Sequence, residues 1–170
     1  MSEAATTAAQ ALARGVATEF RRRLLGEQLP RIRRCVEILG DANVWQKPAP
    51  VCNSVGNLVL HLTGNTAQWI LATFGDHVDT RNRPAEFAAG GGMSANALLD
   101  RLALTFERAC DVVDRVTVAE LLRTRTVQAR YQETGLSAIL HVLEHCSGHA
   151  GQIYAWTKQV TGQDLRFYEL

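Results

Sequence analysis

Apolar residues recur at three- and four-residue intervals through most of the chain, and the recurrence breaks at a few short polar stretches. Such a pattern predicts helices joined by loops. Over about residues 8–39 the apolar stripe is Val16, Phe20, Leu24, Leu25, Ile32, Val36 and Leu39. Between these lie Arg21, Arg22, Arg23 and Arg31, Arg33, Arg34, as on an amphipathic helix whose polar face is solvated. Pro30 has no backbone N–H and restricts Leu29, so a kink or restart is expected there. Gly40 and Asp41 end this first helix.

Residues 41–51, with Trp45, Pro48 and Pro50, read as a connecting loop in which Trp45 packs down on the helices. Asn53 or Ser54 is a good N-cap for a second helix reaching about Phe74. Its apolar face is Val55, Leu58, Val59, Leu62, Trp69, Ile70 and Leu71. A second stripe, Asn57, His61 and Asn65, runs through the same segment four residues apart, with Gln68 beyond it. Polar side chains at helical spacing inside an apolar segment are costly to bury without partners. They point to a polar pocket within the packed helices.

Residues 75–92 contain Asp76, Asp79, Arg81, Arg83, Pro84 and a run of three glycines, and read as a long loop, either a lid or a surface crossover. Ser94 caps a third helix, with Met93 stapled against it and Leu98, Leu102, Phe106, Cys110, Val113 and Val116 turned inward. Residues 121–131 alternate and are rich in β-branched side chains, which predicts an extended crossover without a sheet. Thr134 then caps the last helix, over about residues 135–160, and Gly162 terminates it. Leu136, Ile139, Leu140, Leu143, Ile153, Trp156 and Val160 form its expected core face. Leu165, Phe167 and Tyr168 of the tail are expected to pack back on the helices. The predicted fold is therefore all-α, a four-helix bundle, over a single domain of residues 1–170.

Composition narrows the chemistry. The chain has 170 residues, 46% of them hydrophobic, which is enough for a core without staples. Formal net charge is +1, giving no general attraction to nucleic acid or an anionic membrane. No segment approaches the roughly 18 uninterrupted apolar residues of a membrane span, and residues 1–13 lack the pattern of a signal peptide. Cys35, Cys52, Cys110 and Cys146 form no C-x-x-C pair, which favours reduced thiols and a cytoplasmic location.

The last helix carries the most specific signal, because His141, His145 and His149 place three of the five histidines within nine positions. Residues four apart lie on nearly one helix face, so His145 and His149 can present two imidazoles to a single point. Two imidazoles are half of a metal site, since catalytic zinc and related ions take three protein ligands and keep a position open. His141 is turned from His149 by about 80° beyond two full turns, so all three cannot point equally well at one ion, and His141 is read as an outer support or pocket wall, with ligation as the alternative. The competing reading is a set of neutral, hydrogen-bonded core histidines. Cys146 and Glu144 each point about 100° away from His145, which argues against a nucleophile or a general base there. Cys52 is the other thiol to weigh.

The string from Asn53 through Asn57 and His61 to Asn65, the pattern His145-x-x-x-His149-x-Gly151-Gln152, and the closing Lys158-x-x-Thr-Gly162-x-Asp-Leu165-x-Phe-Tyr168 together resemble the DinB/YfiT-like superfamily. The order and separation of the motifs, more than any one of them, carry the resemblance over most of the chain. It implies a four-helix bundle of up-down-down-up type with a long crossover, often a homodimer. It also implies a divalent ion, zinc or nickel, on His61, His145 and His149. Asn57, Asn65 and Gln152 lie about one turn from these ligands and either orient them by hydrogen bonds or are ordinary buried amides, with His141 beside them. The implied activity is that of a metal-dependent hydrolase or thiol S-transferase, in which a water or a low-molecular-weight thiol is activated against a small-molecule electrophile. The alternative is a non-catalytic metal-binding dimer with a structural or sensory role.

Overall fold

The computed structural model describes residues 3–167, with side chains from residue 6 onward. The first helical element is α1 (Glu3–Arg21), a π-helical segment (Arg22–Gln28) and α2 (Leu29–Asn43) wound end to end. Pro30 does not break it. The preceding segment widens to π winding, with the Leu29 N–H bonded to the Leu24 carbonyl, and Pro30 falls in the first turn of α2, where a missing N–H costs nothing. The true break is Gly40, at φ 58° and ψ −174°, a conformation open to glycine and unfavourable for other residues.

The second element is α3 (Val55–Thr66), a π-helical segment (Ala67–Leu71) and the short α4 (Ala72–Phe74). Ser54 is its N-cap, in a reciprocal capping box with Asn57. Trp45 lies across Gly56, where a Cβ would sit 2.7 Å from the indole, and its Nε1 donates to the Met93 carbonyl at 2.9 Å. Residues 75–92 are not wholly irregular as expected: Asn82 and Pro84 start a short helix, α5 (Arg83–Ala88), which lies against α3.

Helix α6 (Ala95–Val113) is capped by Ser94 and buries the predicted stripe, with Val116 just beyond it also buried. After α7 (Val118–Leu122), the expected crossover forms a small antiparallel hairpin, β1 (Thr124–Val127) with β2 (Tyr131–Thr134), so the expectation of no sheet is corrected. Its alternation was visible, but pairing needs a turn, and Gln128 and Ala129 supply one at φ 55° and 53°. The last element is α8 (Gly135–Thr161), closed by Gly162 in the left-handed conformation.

The four long elements form a helical bundle in which α2 and α3 each pack against both α6 and α8. Consecutive long helices α2 and α3 are thus diagonal, as are α6 and α8. That is why the connections before α3 and before α8 must cross an end of the bundle. Phe20, Leu24, Ile32, Leu58, Leu98, Leu102, Phe106, Ile139 and Ile153 fill the centre without measurable exposure. Each contributes roughly 1.5–3 kcal/mol by burial.

One face was misread. Leu140 is 54% exposed, and the buried stripe of α8 runs through Ala138, Ile139, Val142, Cys146, Ala150, Ile153 and Thr157. Small residues let α8 approach its neighbours closely, so the larger Leu136, Leu143, Trp156 and Val160 pack only at the margin. Leu165 is buried and Phe167 meets the Tyr154 ring at 4.8 Å, while Tyr168 lies outside the described residues. No helix among the described residues is long and apolar enough to cross a membrane.

Candidate metal centre

His61 stands mid-way along α3 on the side facing α8, and His145 and His149 stand one turn apart on α8. The packing of the two helices brings one nitrogen of each ring within 4.8 Å of the others. His145 Nε2 and His61 Nε2 are 2.9 Å apart. The His145 and His149 rings meet edge to face at 4.5 Å, and those of His61 and His149 at 5.0 Å. His61 is buried, while His145 and His149 are half-buried, so solvent reaches the group from the α8 histidines and not from His61. Among the described residues no carboxylate or thiol joins these three as a fourth ligand.

The tautomer of His61 follows from its other nitrogen. Nδ1 lies 2.8 Å from Glu86 Oε2 and 3.0 Å from Arg81 Nη2. A carboxylate can only accept, so a contact of 2.8 Å requires a proton on Nδ1. Both Nδ1–H and the Arg81 Nη2–H then converge on Glu86 Oε2, and His61 Nε2 is the nitrogen that faces the other histidines. A histidine that donates its far N–H to a carboxylate is the usual support of a metal ligand.

The Glu86 carboxylate is fixed in turn. Arg81 grips it with Nε on Oε1 at 2.7 Å and Nη2 on Oε2 at 2.9 Å, and the side chains of Arg81 and Glu86 are only 6% and 11% exposed. Burial alone would raise the Glu86 pKa, but the hydrogen bonds from Arg81 and His61 outweigh it and hold the carboxyl below its ordinary value. Arg81 is itself tied to Gln68 Oε1 at 2.9 Å, and Gln68 to Asp79 at 2.7 Å. The pair can lie this close to α3 because residue 64 is glycine. A Cβ there would sit 2.1 Å from Glu86 Oε1 and 2.9 Å from Arg81 Nε. The outer side of the pair lines a cleft of about 530 Å³ between α3 and α6.

The remaining polar residues divide. Gln152 Oε1 lies 2.9 Å from His149 Nδ1 and so accepts its proton, leaving His149 Nε2 free. Asn57 touches no histidine. Its Oδ1 caps α3, and its Nδ2 donates to the carbonyls of Glu86 at 2.9 Å and Ala89 at 2.6 Å, so it anchors the segment that delivers Glu86. Asn65 Nδ2 is 3.4 Å from His141 Nε2. His141 stacks on Trp69 with centroids 3.7 Å apart and on His145 at 5.3 Å, and does not join the ligand group. It is the pocket wall.

Burial, followed by the neighbouring histidines, pushes the His145 pKa down to about 3. Burial also lowers His149 and His141 from the ordinary histidine value. These rings are neutral at pH 7, the form in which an imidazole binds a metal. Three imidazoles, two of them with the opposite nitrogen on an acceptor, fit a divalent ion well. Cys146, by contrast, is buried in the core with its pKa pushed up to about 12, and is inert.

Glu86, Arg81 and the Phe87 ring that lies 4.6 Å from His61 were missed in the sequence. A signal was present: Asn82 followed by Pro84 is a helix-start pattern, and it marks the loop as ordered.

The chain is a mostly helical bundle whose facing helices bring together three histidines that could hold a metal ion. The DinB superfamily profile matches residues 24–153, and the chain belongs to that superfamily. A conserved protein from Enterococcus faecalis shares the fold, with a TM-score of 0.70, 18% identity and coverage of 86% of this chain and 98% of that one. A DinB-like protein from Bacillus subtilis aligns with a TM-score of 0.65 and 18% identity over 89% of this chain and 97% of that one. A DinB-like protein from Bacillus cereus ATCC 10987 gives 0.65 and 14% identity over 85% and 93%. At these identities the likeness is one of fold. No curated protein matches the sequence.

Proposed function

We propose that the chain is a metal-dependent enzyme in which His61, His145 and His149 hold a divalent ion, zinc or nickel, and activate a water or a thiol against a small electrophile. The reaction is hydrolysis or S-transfer. The observation that carries this reading is the convergence of three imidazoles, with no fourth protein ligand among the described residues, where two of the three rings are only half-buried. A structural site closes its coordination shell with protein, whereas a catalytic one keeps a position for water or substrate.

A divalent ion bound there supplies Lewis acidity, lowering the pKa of a coordinated water or thiol toward neutrality. The protein's own residues do the positioning. Glu86 holds the proton on His61 Nδ1, Gln152 holds that on His149 Nδ1, and the Trp69–His141 stack fixes the flank of His145. Four free cysteines fit a reducing, cytoplasmic setting in which a small thiol is available as co-substrate.

Elemental analysis of untagged protein purified without added metal tests the reading. About one divalent ion per chain is expected, together with an exchangeable ligand seen as a perturbed cobalt(II) spectrum when a small thiol is added. Absence of metal, with melting unchanged by a chelator, overturns it.

A further inference from the structure

We propose that the open side of the histidine cluster takes a substrate or thiol that also bears a carboxylate, and that Arg83 is the residue that binds this group. This rests on the metal reading above and names the chemistry of what enters that site.

The first observation is a charge imbalance. The three candidate ligands are imidazoles, which carry no negative charge, and no acid stands among them. An ion bound there keeps its full double charge. The nearest carboxylate, Glu86, is neutralised by the Arg81 fork at 2.7 and 2.9 Å, so that pair adds no net charge. Whatever completes the site meets a strongly positive surface, which favours an anion.

The second observation is Arg83 itself. Its guanidinium lies over the Phe87 ring, 5.1 Å from the centroid, and the other partner of that ring is His61 at 4.6 Å. The cation is therefore held one ring away from a candidate ligand, on an exposed position at the start of α5. Arg83 has no carboxylate partner among the described residues, whereas the neighbouring Arg81 is spent on Glu86. A guanidinium stacked on a ring keeps the N–H groups of its edge free, in the fork geometry that matches a carboxylate.

Cobalt(II)-loaded protein supplies the test, because thiolate ligation changes its visible spectrum whether or not a reaction is known. The probes are ω-mercapto carboxylates of increasing chain length and their matching amides, which differ only in the anionic group. At the best length the wild type is expected to bind the acid about tenfold more tightly than the amide, the size of one charge-assisted hydrogen bond. In Arg83→Gln the acid should weaken by that factor and the amide stay unchanged, and Arg83→Lys should keep part of the preference. The side chain is exposed, so neither variant threatens the fold. Equal binding of acid and amide in the wild type, or an acid-to-amide ratio unmoved by Arg83→Gln, overturns the inference and leaves the metal reading standing. Failure of cobalt uptake, or uptake indifferent to His149→Ala, is seen before any thiol is added and removes both.

Discussion

The two helices that build the candidate centre support their histidines by opposite means. On α8 the support is local: His149 and Gln152 are three residues apart, His145 and His149 four, and one turn of helix sets their relation. On α3 the support is remote. His61 is oriented by Glu86, which lies 25 residues on in another element and is itself held by Arg81, with Gly64 leaving room for both. The α8 half is already present once a helix forms. The α3 half exists only after the segment of residues 75–92 has docked.

Removing a ligand should have the largest effect and fall on both halves alike. His61→Ala, His145→Ala and His149→Ala are each expected to abolish stoichiometric metal by elemental analysis, since two imidazoles alone do not retain a divalent ion against purification. Retention of metal in His61→Ala would mean that α8 binds by itself and that the comparison between the helices is mistaken.

Next in size is Gly64→Ala. The added Cβ falls 2.1 Å from Glu86 Oε1, and the carboxylate cannot swing away without releasing both His61 and Arg81. Overpacking of this kind costs about 1–3 kcal/mol, read in a denaturant titration of the metal-free protein. Metal affinity should fall together with stability. Glu86→Gln keeps the volume and loses the charge, so metal affinity is expected to drop about 10–100-fold by chelator competition, and stability falls as well because Arg81 loses its carboxylate. An unchanged affinity would reduce the Arg81–Glu86 pair to a strut for the loop.

The same division explains what the sequence could and could not disclose. His145 and His149 are legible because helical spacing converts directly into geometry. His61 is legible as a polar residue recurring within an apolar stripe. Glu86 is not, because α5 has only six residues and no periodicity, and its place is fixed by Asn57 Nδ2 on the Glu86 carbonyl and on that of Ala89 just beyond the helix. Asn57 was a sound choice as a buried amide, but spacing along α3 cannot reveal that its partner is another backbone. The misassigned Leu140 has a similar origin. α8 is apolar around much of its circumference, so its periodicity leaves the buried face open, and close packing selected the small residues Ala138, Cys146 and Ala150. The bundle was readable from pattern; the hairpin was not, since pairing depends on Gln128 and Ala129 at positive φ.

Acid should weaken the protein through both halves. His145 binds a proton less readily in the fold than in the unfolded chain, where it titrates at about 6.5. Between that value and its folded value of about 3 the unfolded state takes up more protons. Stability of the metal-free protein should therefore fall as pH drops below about 6.5, with Glu86, whose folded pKa is lowered, adding a further loss once pH falls through the carboxylate range. Thermal melts from pH 7 to 5 should show this slope, and His145→Ala should flatten it. A melt that rises on acidification would contradict neutral, buried imidazoles.

The smallest effect is reserved for the local support. Gln152→Ala removes the acceptor on His149 Nδ1, but His149 is half-buried and water can replace an exposed amide. Metal affinity should therefore weaken only about two- to fivefold, below the usual range for an outer hydrogen-bond partner. Glu86→Gln must exceed it by a clear margin, because water cannot reach the buried His61 Nδ1 and because the substitution also leaves Arg81 facing an uncharged amide. If Gln152→Ala equals or surpasses Glu86→Gln, the control of the centre lies on α8, and residues 75–92 close the bundle without tuning the metal.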